Sequence, residues 1–140
     1  MNDYAGDITA EHAWELLQST PGAVLVDVRT EAEWRFVGVP DAPDGARPPV
    51  FIEWVTYPDG ARNPRFLDQL LEAGVKPGGD APVIFLCRSG QRSIGAAIAA
   101  TEAGIGPSYN ILEGFEGTPD ALGHRGAVGW QAAGLPWHQG

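Results

Sequence analysis

The chain contains one cysteine, Cys87, followed directly by Arg88, Ser89, Gly90, Gln91, Arg92 and Ser93. That grouping suits a sulfur nucleophile held in an anion-binding loop. The thiolate is the nucleophilic form of cysteine. It is favoured beside cationic side chains and at a helix N-terminus, where backbone N–H groups lack intrahelical partners. Arg88 and Arg92 supply two permanent charges and Gly90 a tight turn. A lone cysteine is ordinarily a small buried hydrophobe. Here the glycine and the two arginines point to Cys87 as a nucleophile. Asp27 and Arg29 form a second group with chemical potential. A buried aspartate needs a partner, and the arginines after Cys87 are the expected ones.

Such a loop needs a strand before it and a helix after it. Val83 to Leu86 is apolar and reads as a buried strand, while Ile94 to Ala103 is alanine-rich and reads as a helix stopped by Gly104. Ala23 to Val28 reads as a second buried strand, interrupted only by Asp27, which puts Asp27 and Arg29 at a strand's C-terminal end. Open α/β sheets bind ligands at those ends. Thr30 and Glu33 form a capping-box pattern opening a short helix, a structural assignment for both residues.

The remaining elements follow in order. Thr9 caps a first helix whose Ala10, Ala13, Trp14 and Leu17 share one face, ended by Pro21-Gly22. Val50 to Trp54 reads as a strand. Thr56 to Arg62 is a turn-rich insertion, with Trp54, Tyr57 and Arg62 placed to overhang the site or to anchor a surface loop. Asn63-Pro64 opens a helix striped by Phe66, Leu67, Leu70 and Leu71 and stopped at Gly74. Lys76 to Pro82 is a tight link. Tyr109 to Leu112 reads as the last strand, and Gly114 to Gly126 is irregular. Ala127 to Ala133 suggests a short helix ending at Gly134, with Trp130 and Trp137 as an apolar strap on the core. Alternating strands and helices predict an α/β fold: a central, mostly parallel sheet with helices on both faces.

Composition sets limits. The 140 residues fit one domain, 1–140, and 19 glycines with 12 prolines predict a loop-rich one. A single cysteine rules out an internal disulfide and suits a reducing, cytoplasmic setting. Met1 to Ala10 shows no basic-then-apolar pattern, so no signal peptide is expected, and no apolar run approaches the ~18 residues of a membrane span. The net charge of −9 disfavours nucleic acid and anionic membranes as partners. It also repels anionic substrates at long range, so an anion site must be built locally, at Cys87 to Arg92.

The segment Cys87-Arg88-Ser89-Gly90-Gln91-Arg92-Ser93 resembles the active-site loop of the rhodanese family of sulfurtransferases. Asp27-Val28-Arg29 with Glu33-Trp34 resembles that family's other signature, and Asn110-Ile111-Leu112-Glu113-Gly114-Phe115 sits where rhodaneses carry a strand leading into a Gly-rich turn. The closing Gly129 to Trp137 looks like a tail of bacterial single-domain rhodaneses. One departure is Gly38-Val39-Pro40-Asp41-Ala42, where many rhodaneses carry Gly-His-Ile-Pro-Gly-Ala. The resemblance implies a rhodanese-like fold and two-step sulfur transfer through a Cys87 persulfide. The donor would be thiosulfate or a similar small molecule, and the acceptor cyanide, a thiol or a protein. Arg88 to Ser93 would then bind the donor or shape the loop, and Asp27 and Arg29 would support the loop from behind.

Two other readings stay open. Phosphatases and arsenate reductases on the same fold also use a cysteine loop ending in arginine. Theirs is one residue longer, and the four residues between Cys87 and Arg92 suit a single sulfur atom better. A non-catalytic binding module is the other possibility, although degenerate members of the family usually lose the cysteine. His12, His124 and His138 are scattered, so neither a metal nor a cofactor is expected.

Overall fold

The structure, a computed structural model, describes residues 4–56, 60–75, 77–78, 81–88, 90–117 and 128–139. Strand β1 (Gly6–Ile8) leads into helix α1 (Ala10–Ser19), and β2 (Val24–Asp27) into α2 (Glu31–Phe36). Strands β3 (Val39–Pro40) and β4 (Val50–Phe51) precede α3 (Phe66–Glu72). Strand β5 (Val83–Leu86) leads into α4 (Arg92–Glu102), and β6 (Ser108–Ile111) and β7 (Trp137–His138) follow. Five strands form one sheet in the order β1-β6-β5-β2-β4, parallel throughout. Strands β3 and β7 pair antiparallel beside it.

Both faces of the sheet are covered, as the apolar runs of β2 and β5 require. Alternation sorts their side chains. Val24, Val26, Val28, Val83, Phe85 and Cys87 face α3 and α4, meeting Phe66, Leu70 and the alanines 96, 97 and 100. Leu25, Ile84 and Leu86 face the other way, onto α1, Phe115 and Trp130. Burying each large apolar side chain contributes roughly 1.5–3 kcal/mol. Helix α2 has no fully buried residue and gains less of this, mainly through Trp34 packed edge-on to Phe51. It is held by its capping box, Thr30 with Glu33, as expected, and by a contact from α4 described below. Thr9 likewise caps α1 by accepting from the His12 N–H.

Several elements differ from the sequence reading. The strand expected over 50–54 is only Val50–Phe51; beyond it the Ile52 and Trp54 N–H groups still donate to Asp27 and Val28 carbonyls. Helix α3 starts at Phe66, because the Asn63 side chain accepts from the Arg65 N–H and holds Pro64 and Arg65 in a turn. Its buried stripe is Phe66 and Leu70 alone, with Leu67 and Leu71 partly exposed. Helix α4 begins at Arg92, two residues early, so it takes in the end of the polar loop. Residues 130–134 form turns between Gly129 and Gly134 instead of a helix, and Ala127 lies outside the described residues. Trp130 is fully buried there, and Trp137 packs edge-on to Phe115. Strands β1 and β7 were not anticipated.

Candidate active site

The chain leaves β2 outward to β4 and returns through α3 to β5 on the other side of β2. The C-terminal ends of β2 and β5 therefore meet where the winding direction changes, the place where open parallel sheets bind ligands. The Val28 N–H donates to the Leu86 carbonyl at 2.8 Å, and the next residue on β5's side is Cys87.

Cys87 is 1% exposed. The Gly90 N–H points at its Sγ from 3.1 Å, and Ser93 Oγ lies 3.2 Å from the same atom. Gly90 has φ +91°, and a Cβ there would stand 2.1 Å from the Leu112 carbonyl oxygen. Only glycine fits both the backbone and the space. Gln91 is the N-cap of α4 and makes no side-chain cap bond, so its side chain is not tied to the helix end. Ser89 lies outside the described residues. The loop is braced from the turn after β6: the Phe115 N–H donates to the Cys87 carbonyl at 2.8 Å, and the Glu116 N–H to the Arg88 carbonyl at 3.0 Å.

Neither loop arginine pairs with Asp27, contrary to expectation. Arg92 forms a two-pronged pair with Glu33, Nη1–Oε1 2.7 Å and Nη2–Oε2 2.8 Å. Arg88 Nε lies 3.0 Å from Glu116 Oε2. Asp27 instead holds Arg29, two residues on, through Nε at 3.0 Å and Nη2 at 2.7 Å. The reason is the strand's two-residue period. Asp27 falls with Leu25 and Leu86 on the face away from Cys87, and Arg29 stays on Asp27's side. Both residues are 0% exposed. Arg29 Nη2 also donates to the Gly38 carbonyl at 2.7 Å, and its guanidinium stacks 4.2 Å over the Phe115 ring. The pair thus reaches the loop through Phe115, whose N–H holds the Cys87 carbonyl.

Burial alone would push the Glu33 carboxyl up. The hydrogen bonds and charge of Arg92, joined by hydrogen bonds from Thr30, outweigh it and hold Glu33 below its ordinary value of 4.5. Arg92 is raised, first by its hydrogen bonds to Glu33 and against burial, with the charges of Glu33, Cys87 and Asp27 adding.

A cavity of about 560 Å³ opens beside the loop, lined by Arg88, Arg92, Glu33, Glu116, Phe36 and Val55 among others. Thr56 and Gly60 of the anticipated insertion line it too. Arg62 instead stacks 3.9 Å over Trp54, which packs against Phe66 in the core, so neither overhangs the cavity. Tyr57 lies outside the described residues. The expected locally cationic site is therefore balanced: two guanidinium groups face two carboxylates. Glu33 and Glu116 were missed, the first because its capping pattern already explained it. Asn110 was missed as well, although a polar residue inside a buried strand was a visible signal. It is fully buried and contacts Ser93.

His12 is exposed, and His138 pairs with Asp41 at 2.7 Å. His124 lies outside the described residues. Among the described residues no His, Cys, Asp and Glu cluster is arranged to hold a metal.

Comparison with known proteins adds four findings. The family model described as Rhodanese-like domain matches residues 9–118. The chain is similar to "Uncharacterized protein RC0915" of Rickettsia conorii, 37% identical over 131 residues, covering 94% of this chain and 95% of that one. It is also similar to the crystal structure of Rv0390 from M. tuberculosis, with a TM-score of 0.88, 62% identity, and coverage of 98% and 99% of the two chains. The solution structure of the polysulfide-sulfur transferase homodimer from Wolinella succinogenes shares the fold, with a TM-score of 0.65 at 22% identity, covering 99% of this chain and 80% of that one.

Proposed function

The chain belongs to the rhodanese-like domain family, and from that premise we propose that it is a sulfurtransferase carrying sulfane sulfur on Cys87. The observation that carries this reading is the pair of polar groups converging on one buried sulfur, the Gly90 N–H at 3.1 Å and the Ser93 hydroxyl at 3.2 Å, at the start of α4. Anionic sulfur there meets the Gly90 N–H already in place, and a hydroxyl that needs only to turn about its C–O bond to donate as well.

With thiosulfate as donor, the Cys87 thiolate attacks the outer sulfur. The S–S bond of thiosulfate breaks, its electron pair leaves with sulfite, and Cys87 becomes a persulfide anion. A thiolate or cyanide then attacks the terminal sulfur and carries it away, and the Cys87 thiolate returns. Oxidation levels balance over the two steps and no cofactor is required. Arg88, the more exposed of the two loop arginines, meets the donor, and Arg92 fixes the loop. Asp27 and Arg29 hold the loop's back wall.

Phosphate chemistry on this loop is disfavoured by Arg92, which is committed to Glu33 rather than turned towards the sulfur. A binding module is disfavoured by the two polar groups turned onto Cys87. The acceptor is a small thiol or a protein, and the single cysteine offers no internal thiol to resolve the persulfide. Among the described residues no helix is long and apolar enough to cross a membrane. We place the reaction in the reducing cytoplasm, where a lone thiol persists.

Intact mass after incubation with thiosulfate tests the reading. The expected result is a gain of one sulfur, reversed by cyanide or glutathione and absent in Cys87→Ser. No gain in the unaltered protein, with thiosulfate or an organic persulfide as donor, overturns it.

A further inference from the structure

Asn110, on β6, is fully buried behind the loop. Its Nδ2 donates to Asp7 Oδ1 on β1 at 2.9 Å and to the Gly90 carbonyl at 3.2 Å. A carboxylate and a carbonyl accept and do not donate, so the amide can face only one way. Its Oδ1 is therefore the atom turned to Ser93, and the two side chains are hydrogen-bonded. An amide oxygen also only accepts, and Ser93 has one hydroxyl proton. That proton belongs to Asn110. Ser93 Oγ, 3.2 Å from Cys87 Sγ, consequently shows the sulfur a lone pair.

We infer that Asn110 is a positioning residue: it makes Ser93 accept the S–H of the resting Cys87 thiol, and it must release the hydroxyl when the sulfur becomes anionic. In the resting state the bonds run S–H to Ser93 Oγ and O–H to Asn110 Oδ1. On ionisation the sulfur proton passes to water, the hydroxyl turns about its C–O bond, and O–H···S replaces O–H···O. No bond between heavy atoms changes. The Gly90 N–H donates to sulfur in both states. A hydrogen bond accepted from the neutral thiol favours the thiol, so Asn110 holds ionisation back. Under the sulfur transfer proposed above, the same turn greets the anionic persulfide; that consequence rests on that reading, whereas the turn itself needs neither donor nor acceptor.

The charged groups around the sulfur are Arg88 and Arg92 with Glu116 and Glu33, the Asp27–Arg29 pair on the far face of β2, and Asp7 beyond Asn110. An Asn110→Leu substitution leaves all of them in place. It removes the competing acceptor and frees Ser93 to donate to sulfur throughout.

Iodoacetamide alkylation of Cys87 against pH, with no sulfur donor present, tests this. The rate midpoint is expected to fall by about one pH unit in Asn110→Leu, a tenfold change in the thiol–thiolate equilibrium. In a Ser93→Ala background the same substitution should move it little. A midpoint unmoved or raised in Asn110→Leu, or a fall that persists without Ser93, overturns the inference. Should Asn110→Leu fail to fold, the S–H infrared band decides, and with one cysteine it belongs to Cys87 alone. It should lie at lower frequency in the unaltered protein than in Ser93→Ala, as for a bonded S–H. Coincident bands overturn the inference. These readouts contain no transfer step, so they separate its failure from failure of the sulfurtransferase reading.

Discussion

Arg92 and Glu33 are 59 positions apart in the chain, yet they meet through two parallel hydrogen bonds of 2.7 and 2.8 Å. The contact joins the helix that follows Cys87 to the helix that follows Asp27. Because α2 has no fully buried side chain of its own, this pair is a principal tie between it and the rest of the site.

Glu33→Gln is therefore expected to destabilise the fold by about 1.5–3 kcal/mol at neutral pH, the range for hydrogen bonds to charged groups. The pH dependence has a definite sign. Glu33 is held lower in the folded chain than in the unfolded one, so the pair's contribution is present above the ordinary carboxylate value of 4.5 and fades as pH falls below it. Urea denaturation of both proteins from pH 7 to pH 3 should show the two stability curves converging at the acid end. A constant gap across that range would contradict this assignment.

Arg88 is 46% exposed and its partner Glu116 lies beside the cavity. Arg88→Ala should raise KM for thiosulfate several-fold with little change in Tm, while Arg92→Ala should lower Tm and activity together. Glu116→Gln releases Arg88 for an anionic donor, so KM for thiosulfate should fall. Steady-state kinetics with cyanide as acceptor reads all three. A raised KM in Glu116→Gln would show that Glu116 places Arg88 rather than competing for it.

The Asp27–Arg29 pair is fully buried, and removing one partner strands the other's charge. Arg29→Ala should cost about 3–5 kcal/mol. Arg29→Lys should recover little, because one ammonium cannot hold Asp27, reach the Gly38 carbonyl and stack on Phe115 together. Equilibrium unfolding of the two variants provides the comparison, and full recovery with lysine would show that charge alone matters there.

At Gly90 a single methyl group is enough to displace the loop, since its carbon would lie 2.1 Å from the Leu112 oxygen. Gly90→Ala should keep the sheet, by circular dichroism, and lose the sulfur gain seen by mass after thiosulfate. Undiminished persulfide formation would mean that the Gly90 N–H is not what steadies the sulfur.

The parts of the molecule legible in the sequence were those written in adjacent residues. Apolar β5, the turn at Gly90 and the alanines of α4 specify a strand, a loop and a close-packed helix, so the position of Cys87 between strand and helix follows from the sequence alone. Partners distant in sequence were not legible. Nothing local says that Arg92 crosses to Glu33, and the capping box at Thr30 gave Glu33 a sufficient role already. The apolar pattern locates Asp27 at its strand end, but its partner is decided by which face of β2 it occupies, and on that face it meets Arg29 instead of the loop arginines. Strand β7 escaped because two residues carry no periodicity; only its pairing with β3 defines it.

That pairing bears on how the protein is made. Synthesis delivers the N-terminal side first, and every strand of the parallel sheet has been made once Ile111 has emerged. Trp130 and β7 come later. Until they do, the face carrying Leu25, Ile84 and Phe115 lacks its largest side chain, and Gly38, whose carbonyl holds Arg29, lacks the ring of Trp137 above it. On the ribosome the nascent chain would therefore pass through an interval with its sheet paired and one apolar face still uncovered. The length of that interval is set by how soon residues 112–138 follow Ile111 out of the ribosome.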